Sequence, residues 1–274
     1  MSRVDEAFTA AREQGRAALV GYLPAGFPSY DGCLDAVRAM VDGGVDLVEV
    51  GLPYSDPVMD GPTIQAAAQQ ALAGGLRTRD VLRTVEAVAQ LAPAVVMTYW
   101  NPVERYGVDR FARDLAAAGG SGLITPDLIP DEAAEWLQAS DDHGLDRMFL
   151  VSPSSTDARI AMTVQACRGF VYATSVMGVT GARKETSRRA PALVDRVKQA
   201  TELPVGVGLG VSNGTQAAEV AEFADGVIVG SAFVRCLLEA ADQEPGTGSA
   251  AVRALAEDLA GGVRHATSGT PQGA

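Results

Sequence analysis

Glu49 is the first residue whose type and position suggest chemistry. It lies inside the apolar run Leu-Val-Glu-Val-Gly-Leu at 47–52, a pattern typical of a buried β-strand. Side chains alternate along a strand, so if Val48 and Val50 face covering helices, Glu49 faces the other side of the sheet. Burying a carboxyl group is costly unless the group is paired, neutralised or used. A structural ion pair is the plain alternative, but no predicted strand carries an internal Lys or Arg. Because burial raises the pKa of a carboxyl group, the position favours a proton donor that works near neutral pH.

Two further acids follow in the loop that leaves this strand. Asp56 and Asp60 stand in a segment rich in proline and glycine, before a helix predicted to begin at Pro62. Either acid alone could simply cap a turn or that helix. Asp60 is singled out because its loop leaves the strand of Glu49, and two carboxyl groups in unlike environments can divide acid–base labour.

Glycine-rich turns after the last three predicted strands form a second candidate site. Main-chain N–H groups and a hydroxyl in such turns can hold a phosphate, because glycine lets the backbone approach closely. The residues that predict this phosphate site are Gly181, Gly210, Gly230 and Ser231. The glycines and charges of 177–189 also indicate a mobile lid, although a solvated connection would have the same composition.

The elements that must position these residues alternate along the chain. Short β-branched runs predict eight strands, at 18–23, 47–52, 95–99, 122–124, 148–151, 170–173, 205–209 and 226–229. Helical spacing fills the gaps, with predicted starts near 28, 62, 78, 130 and 213 and a last helix over 249–263. Regular β–α alternation indicates a parallel sheet, and eight units without a break favour a closed (β/α)₈ TIM barrel. Barrel enzymes form their sites at the C-terminal ends of the strands, often with a phosphate held after strands seven and eight. We expect an extra N-terminal helix, a short phosphate-binding helix after strand 8, one domain over 1–265 and a disordered tail over 266–274.

Composition narrows the class of protein. The net charge of −12 argues against nucleic acid as a partner, because binding to phosphate backbones requires a basic face. No apolar run approaches the ~20 residues of a membrane span, and the charged N-terminus shows no signal-peptide pattern, so we expect a cytoplasmic protein. The scattered Cys33, Cys167 and Cys236 indicate free thiols. Only two histidines, His143 and His265, are present, so acid–base chemistry should fall to carboxyl groups.

The sequence resembles a known family at these motifs. Ser55-Asp-Pro-x-x-Asp-Gly-Pro-Thr-Ile-Gln65 is similar to the signature of tryptophan synthase α subunits. Gly178-Val-Thr-Gly-Ala182, Gly208-x-Gly-Val-Ser212 and Gly230-Ser-Ala232 follow in the family's order, and the likeness extends from about residue 8 to about residue 263.

The resemblance implies a TIM-barrel lyase that splits indole-3-glycerol phosphate into indole and glyceraldehyde 3-phosphate by a retro-aldol reaction. Glu49 matches the residue that protonates the indole ring at C3. Asp60 matches the acid that binds the indole N–H and stabilises the positive charge developing there. The matching substrate-binding positions are Tyr172, Thr180, Gly181, Leu209, Gly210, Gly230 and Ser231. Many family members have Phe where this chain has Leu209, which predicts a smaller and less aromatic pocket wall.

The resemblance also implies a partner. Family members form an α₂β₂ complex with a β subunit that carries pyridoxal phosphate, and Pro53 and Asp56 match positions near that contact. No metal or cofactor is implied for this chain. The alternatives are a stand-alone indole-3-glycerol phosphate lyase that releases free indole, and a non-catalytic subunit that activates its partner. Glu49 and Asp60 argue against the second of these, and the segment 55–65 argues against another sugar-phosphate barrel enzyme.

Overall fold

The computed structural model describes residues 1–174 and 183–265. Its strands are β1 (Ala18–Pro24), β2 (Leu47–Gly51), β3 (Ala94–Met97), β4 (Gly122–Thr125), β5 (Asp146–Val151), β6 (Val171–Thr174), β7 (Val205–Gly208) and β8 (Gly226–Val229). Each strand pairs in parallel with the next along the chain, and β8 pairs with β1. The predicted closed (β/α)₈ barrel is therefore confirmed.

Helices follow the strands around the outside of the barrel. Their bounds are α1 (Arg3–Glu13), α2 (Tyr30–Asp42), α3 (Pro62–Ala73), α4 (Thr78–Val88), α5 (Trp100–Tyr106), α6 (Val108–Ala117), α7 (Ala134–Asp142), α8 (Asp157–Ala166), α9 (Arg183–Lys198), α10 (Gly214–Ala221), α11 (Ser231–Glu239) and α12 (Thr247–His265). None of the helices in the described ranges is both long enough and apolar enough to cross a membrane. The predicted N-terminal helix and the predicted short helix after β8 are both present.

Two apolar layers hold the barrel together. The outer layer lies between strands and helices and includes Val48 and Val50. The inner layer fills the barrel with side chains from alternate strand positions, among them Leu47 and Val95. Glu49 neighbours Val95 in the strand register, so its side chain also points inward, as strand alternation predicts.

Helix α1 closes the N-terminal end of the barrel. Its start is capped by Ser2, whose side chain accepts from the N–H of Asp5 while Asp5 accepts from the N–H of Ser2. Phe8 then packs against Phe170 with ring centroids 5.3 Å apart. A Cβ at Gly226 would lie 2.8 Å from the Phe8 ring, so the glycine makes room for it. With this end filled, the C-terminal ends of the strands are left to form a site.

Several element boundaries differ from those predicted. The segment predicted as a helix from residue 130 begins with a 3₁₀ turn, Pro130–Glu132, and α7 follows at Ala134. Strand β3 ends at Met97, so two residues assigned to that strand belong to the next turn. The second part of the expected lid, residues 183–189, lies in α9. The rest of that lid lies outside the described residues, as does the expected tail at 266–274.

Candidate active site

A cavity of about 470 Å³ opens at the C-terminal end of the barrel. Its wall is lined by residues of the eight strands or of the segments that directly follow them. Most of the exposed wall is apolar, and the polar groups stand at a few separate points. Such a cavity suits a ligand with an apolar body and a small number of polar groups.

Glu49 lies at the base of this cavity and is fully buried. Neither of its carboxyl oxygens has a hydrogen-bond partner among the described residues, and it forms no ion pair with them. Burial raises the pKa of Glu49 to about 8, because the ionised form loses its hydration and gains no partner. The carboxyl group therefore keeps its proton near neutral pH and can donate it to a ligand in the cavity.

Arg147 is the only basic residue within a described strand, and it does not reach Glu49. Sequence reasoning began β5 at Met148, whereas the strand begins at Asp146 and so contains Arg147. The Arg147 guanidinium bonds Asp141 at 2.6 Å and the Ala166 carbonyl at 2.7 Å, on the helix side of the sheet. The prediction that no strand carries an internal Lys or Arg is therefore wrong for β5, but Arg147 is not a partner of Glu49.

Asp60 provides the second carboxyl group of the cavity. Its Oδ1 accepts a hydrogen bond of 3.1 Å from the Tyr99 hydroxyl, which itself accepts one of 2.9 Å from the N–H of Met59. Burial raises the pKa of Asp60, and the Tyr99 hydrogen bond opposes that rise by favouring the ionised form. Gly61, not Asp60, is the N-cap residue of α3. The helix-capping role that the sequence left open for Asp60 is thus wrong, and its carboxyl group faces the cavity.

Two tyrosines and several apolar side chains form the walls. Tyr22 on β1 and Tyr172 on β6 both line the cavity, and burial raises the pKa of each phenol well above its ordinary value. Tyr172 lies over Gly208, where a Cβ would come within 2.8 Å of its hydroxyl oxygen. Leu209 follows directly and lines the same wall. The cavity therefore has room for a flat apolar group between its sides.

Main-chain donors gather at the β7 and β8 end of the cavity. Gly210, Gly230 and Ser231 all line it. Gly210 has φ +67°, a left-handed conformation that favours glycine. Gly230 is the N-cap of α11, and no side chain caps that helix. The first N–H groups of a helix have no acceptor within it, so this end of the cavity can bind an anion.

Comparison with known proteins identifies the family. Residues 8–264 match the family model described as tryptophan synthase alpha chain. The chain is 65% identical to the tryptophan synthase alpha chain of Acidothermus cellulolyticus, over 97% of this chain and 98% of that one. A structure of Mycobacterium tuberculosis tryptophan synthase superposes with a TM-score of 0.89 at 59% identity, covering 96% of this chain and 98% of that one. The subunit alpha of Legionella pneumophila is more distant, at 32% identity and a TM-score of 0.86, with coverage of 96% and 98%.

This chain belongs to the tryptophan synthase alpha chain family. The family resemblance read from the segment 55–65 is thereby confirmed. Family membership makes this chain a lyase of tryptophan biosynthesis.

The remaining family positions lie outside the cavity or outside the described residues. Pro53 is buried at the end of β2, whereas Asp56 is exposed and its carboxylate accepts a hydrogen bond of 2.6 Å from the Ser55 hydroxyl. Neither residue lines the cavity, and their assignment to a partner contact stays a prediction. Thr180 and Gly181 lie outside the described residues.

Sequence reasoning overlooked part of the cavity wall. The lining residues to which it assigned no role include Tyr22, Met97, Tyr99, Leu150 and Arg235. The residues at strand ends could have been found from the alternation of side chains along each strand, because they point to the same side of the sheet as Glu49. Applied to all eight predicted strands, this alternation would have selected Tyr22 and Met97.

Proposed function

We propose that this chain cleaves indole-3-glycerol phosphate into indole and glyceraldehyde 3-phosphate, with Glu49 as the acid–base residue. The observation that carries the proposal is a fully buried carboxyl group without a protein partner, facing a cavity whose other end offers main-chain amides. A carboxyl group in that state stores a proton for a ligand, and the amide end suits the ligand's phosphate.

The reaction can be followed group by group. Protonated Glu49 transfers its proton to C3 of the indole ring, which places positive charge on the ring nitrogen. The ionised Asp60 accepts a hydrogen bond from that N–H and stabilises the charge. The Glu49 carboxylate then takes the proton of the hydroxyl on the adjacent chain carbon. The carbon–carbon bond breaks, its electron pair restores the aromatic ring, the hydroxyl oxygen becomes the aldehyde oxygen, and Glu49 is neutral again.

The two acids need opposite protonation states, and their surroundings supply them. Glu49 receives no hydrogen bond from the described residues and stays protonated up to about pH 8. Asp60 is only partly buried and holds the Tyr99 hydrogen bond, which favours its ionised form. Unlike environments therefore separate the donor from the charge-stabilising group.

The phosphate is assigned to the Gly210 and Gly230–Ser231 end. The partial positive charge at the start of α11 favours a dianion, and the Ser231 hydroxyl adds a donor. Thr180 and Gly181, which the family resemblance adds to the substrate site, are kept in the proposal as substrate-binding residues. Tyr172 and Leu209 are assigned to the indole wall.

The chain acts as the α subunit of tryptophan synthase, with a β subunit as its partner. We propose that Pro53 and Asp56 lie near the contact with that subunit, and that the assembly is the α₂β₂ complex of the family. A cytoplasmic location is part of the same proposal, since the chain supplies a step of amino-acid biosynthesis.

The decisive experiment measures indole release from indole-3-glycerol phosphate by the wild type and by Glu49→Gln. The amide keeps the shape of the side chain but has no proton to transfer at neutral pH, so we expect turnover to fall by at least about 10²–10⁴-fold while substrate binding persists. Glu86→Gln, on the exposed face of α4, is the matched control and should turn over normally. Comparable turnover by Glu49→Gln would refute the role of Glu49.

A second measurement separates the synthase subunit from a stand-alone lyase. The rate of indole release is compared with and without a tryptophan synthase β subunit at saturating concentration. A strong rise with the β subunit is expected for a synthase subunit, whereas a stand-alone lyase would work at its full rate alone.

A further inference from the structure

Tyr22 is a cavity residue for which the reaction above has no use. It lies on β1 directly beside Glu49 in the β1–β2 register, and its side chain lines the cavity. Its side chain is half-buried, and its hydroxyl opens on a mostly apolar cavity. A phenol hydroxyl can donate and accept a hydrogen bond, so a ligand in the cavity can bind it.

Two glycines determine where the Tyr22 hydroxyl lies. A Cβ at Gly230 would stand 3.1 Å from Cδ1 of the Tyr22 ring, so the base of the ring rests beside the anion-binding end. A Cβ at Gly51 would overlap the hydroxyl oxygen itself, so the tip of the ring rests over the end of β2. The ring therefore extends alongside the cavity from its phosphate end toward the strand of Glu49.

The charges around the hydroxyl determine what it can do. Burial raises the pKa of the Tyr22 phenol, and the nearby carboxyl groups of Asp60 and Glu49 raise it further. The phenol consequently stays neutral in the working range of pH and can donate a hydrogen bond. Tyr22 lies beside Glu49 in the strand register and lines the same cavity as Asp60, so its hydroxyl faces the space that a bound ligand would occupy.

We infer that the Tyr22 hydroxyl hydrogen-bonds a hydroxyl group of the substrate's glyceryl chain and makes the site specific for a hydroxylated chain. The inference rests on the proposed function and follows by elimination. The indole N–H is assigned to Asp60 and the phosphate to Gly210, Gly230 and Ser231. The chain hydroxyl next to the ring is assigned to Glu49, which takes its proton. The second chain hydroxyl is therefore the polar group of the substrate still in need of a partner, and Tyr22 lines the cavity alongside it. Tyr22 is thus a specificity-determining residue.

The test compares Tyr22→Phe with the wild type on two ligands that differ only in the chain hydroxyls. One is indole-3-glycerol phosphate, and the other is indole-3-propanol phosphate, which keeps the indole and the phosphate but has neither hydroxyl. For Tyr22→Phe we expect kcat/KM for the first to fall about 3- to 10-fold, as loss of one hydrogen bond predicts. The inhibition constant of the second should stay within twofold. Tyr30→Phe, which removes a hydroxyl on α2 outside the cavity, is the matched control.

Binding provides a readout that does not depend on turnover. In the Glu49→Gln background, the Kd of indole-3-glycerol phosphate should rise about 3- to 10-fold on adding Tyr22→Phe, and the Kd of indole-3-propanol phosphate should not. Equal weakening of both ligands would mean that Tyr22 only shapes the wall, and no weakening of either would mean that its hydroxyl is unused; either result overturns the inference. Absence of indole release by the wild type would instead overturn the proposed function.

Discussion

Glu49 is a carboxylic acid at a strand position that would ordinarily have an apolar side chain. Its neighbours in the register are Tyr22 and Val95, and neither gives its oxygens a hydrogen bond. Burying the Glu49 carboxyl group without a hydrogen-bond partner is unfavourable, so it should lower the free energy of unfolding of the protein.

The first prediction concerns this cost as a function of pH. The pKa of Glu49 is about 8 in the folded protein and near its ordinary value in the unfolded chain. Between about pH 4.5 and pH 8 the unfolded chain releases a proton that the folded protein keeps, so stability falls as pH rises and levels off above pH 8. Glu49→Gln has no such titration. Its free energy of unfolding relative to wild type should increase from pH 5.5 to pH 8.5, by an amount on the order of a few kcal/mol.

Urea unfolding at several pH values within that range measures the difference. Glu86→Gln, an exposed carboxyl group with the same change of side chain, should differ from wild type by a constant amount. A difference for Glu49→Gln that does not change with pH would show that Glu49 is ionised in the folded protein.

The second prediction concerns the Tyr99 hydroxyl. Tyr99→Phe removes its hydrogen bond to Asp60 and leaves the Met59 N–H without its acceptor. The hydrogen bond from the Tyr99 hydroxyl favours the ionised carboxylate of Asp60. Its loss should therefore raise the pKa of Asp60 and move the acid limb of the pH profile of kcat to higher pH. We expect kcat to fall about 10- to 100-fold, the usual range for a hydrogen bond to a charged group.

A second tyrosine–aspartate pair supplies the control for this prediction. Tyr106 donates to Asp114 at 2.8 Å, and neither residue lines the cavity. Tyr106→Phe should leave the acid limb unchanged. If both variants lose activity to the same extent, or if the limb does not move in Tyr99→Phe, the hydrogen bond does not act on Asp60 in the way proposed.

At the scale of elements, the two ends of the barrel have different roles. Helix α1 stabilises the N-terminal end, and the loops at the C-terminal end form the cavity. Phe8 enters the N-terminal end and is almost fully buried against Phe170, with Gly206 and Gly226 making room for the two rings. The cavity occupies the opposite end. A change at one end should therefore affect stability without changing the chemistry.

The third prediction follows from this division. Phe8→Ala should lower the free energy of unfolding by about 3–5 kcal/mol, the range for deleting a large buried aromatic side chain. At a temperature where the variant remains folded, kcat for indole release should stay within twofold of wild type. Thermal or urea unfolding and a steady-state assay check the two parts.

Arg12→Ala, on the exposed face of the same helix, is the control and should change stability by about 0.5 kcal/mol or less. A loss of kcat in folded Phe8→Ala comparable with its loss of stability would show that the two ends are coupled.

At the scale of the whole molecule, the loop after β2 joins the active site to the outer surface. Asp60 at its inner end lines the cavity, whereas Asp56 and Val58 are exposed on its outer side. A partner bound against the outer side would restrict the loop that carries Asp60. This geometry offers a direct route for a β subunit to affect the cleavage rate.

The fourth prediction tests that route. Asp56→Ala should leave the basal rate of indole release within twofold, because Asp56 does not line the cavity. It should require about 2- to 5-fold more β subunit for half-maximal activation, the effect of one charge at the rim of an interface. Titration of indole release with the β subunit measures both quantities. Glu86→Gln removes an equal charge elsewhere, and an identical midpoint for Asp56→Ala and Glu86→Gln would contradict the proposed contact.

The sequence by itself predicted the barrel and the two candidate acids, Glu49 and Asp60. Each strand is recognised from a pattern within a few residues, and that pattern occurs eight times along the chain. A parallel sheet of eight β–α units has few ways to bury both of its faces, and a closed barrel is one of them. Glu49 was found because an acid in an apolar strand is conspicuous and because alternation fixes which way it points. The glycine turns were found because glycines grouped after consecutive strands are typical of a backbone that approaches a ligand closely.

Only the tertiary structure decided which side chains meet in the cavity. The hydrogen bond from Tyr99 to Asp60 joins residues 39 positions apart, and no pattern along the chain records it. Strand alternation indicates that Tyr22 points inward, but where its hydroxyl lies depends on Gly51 and Gly230 from two other strand ends. Secondary structure follows from interactions within a few residues, whereas the site depends on contacts made only when the sheet closes.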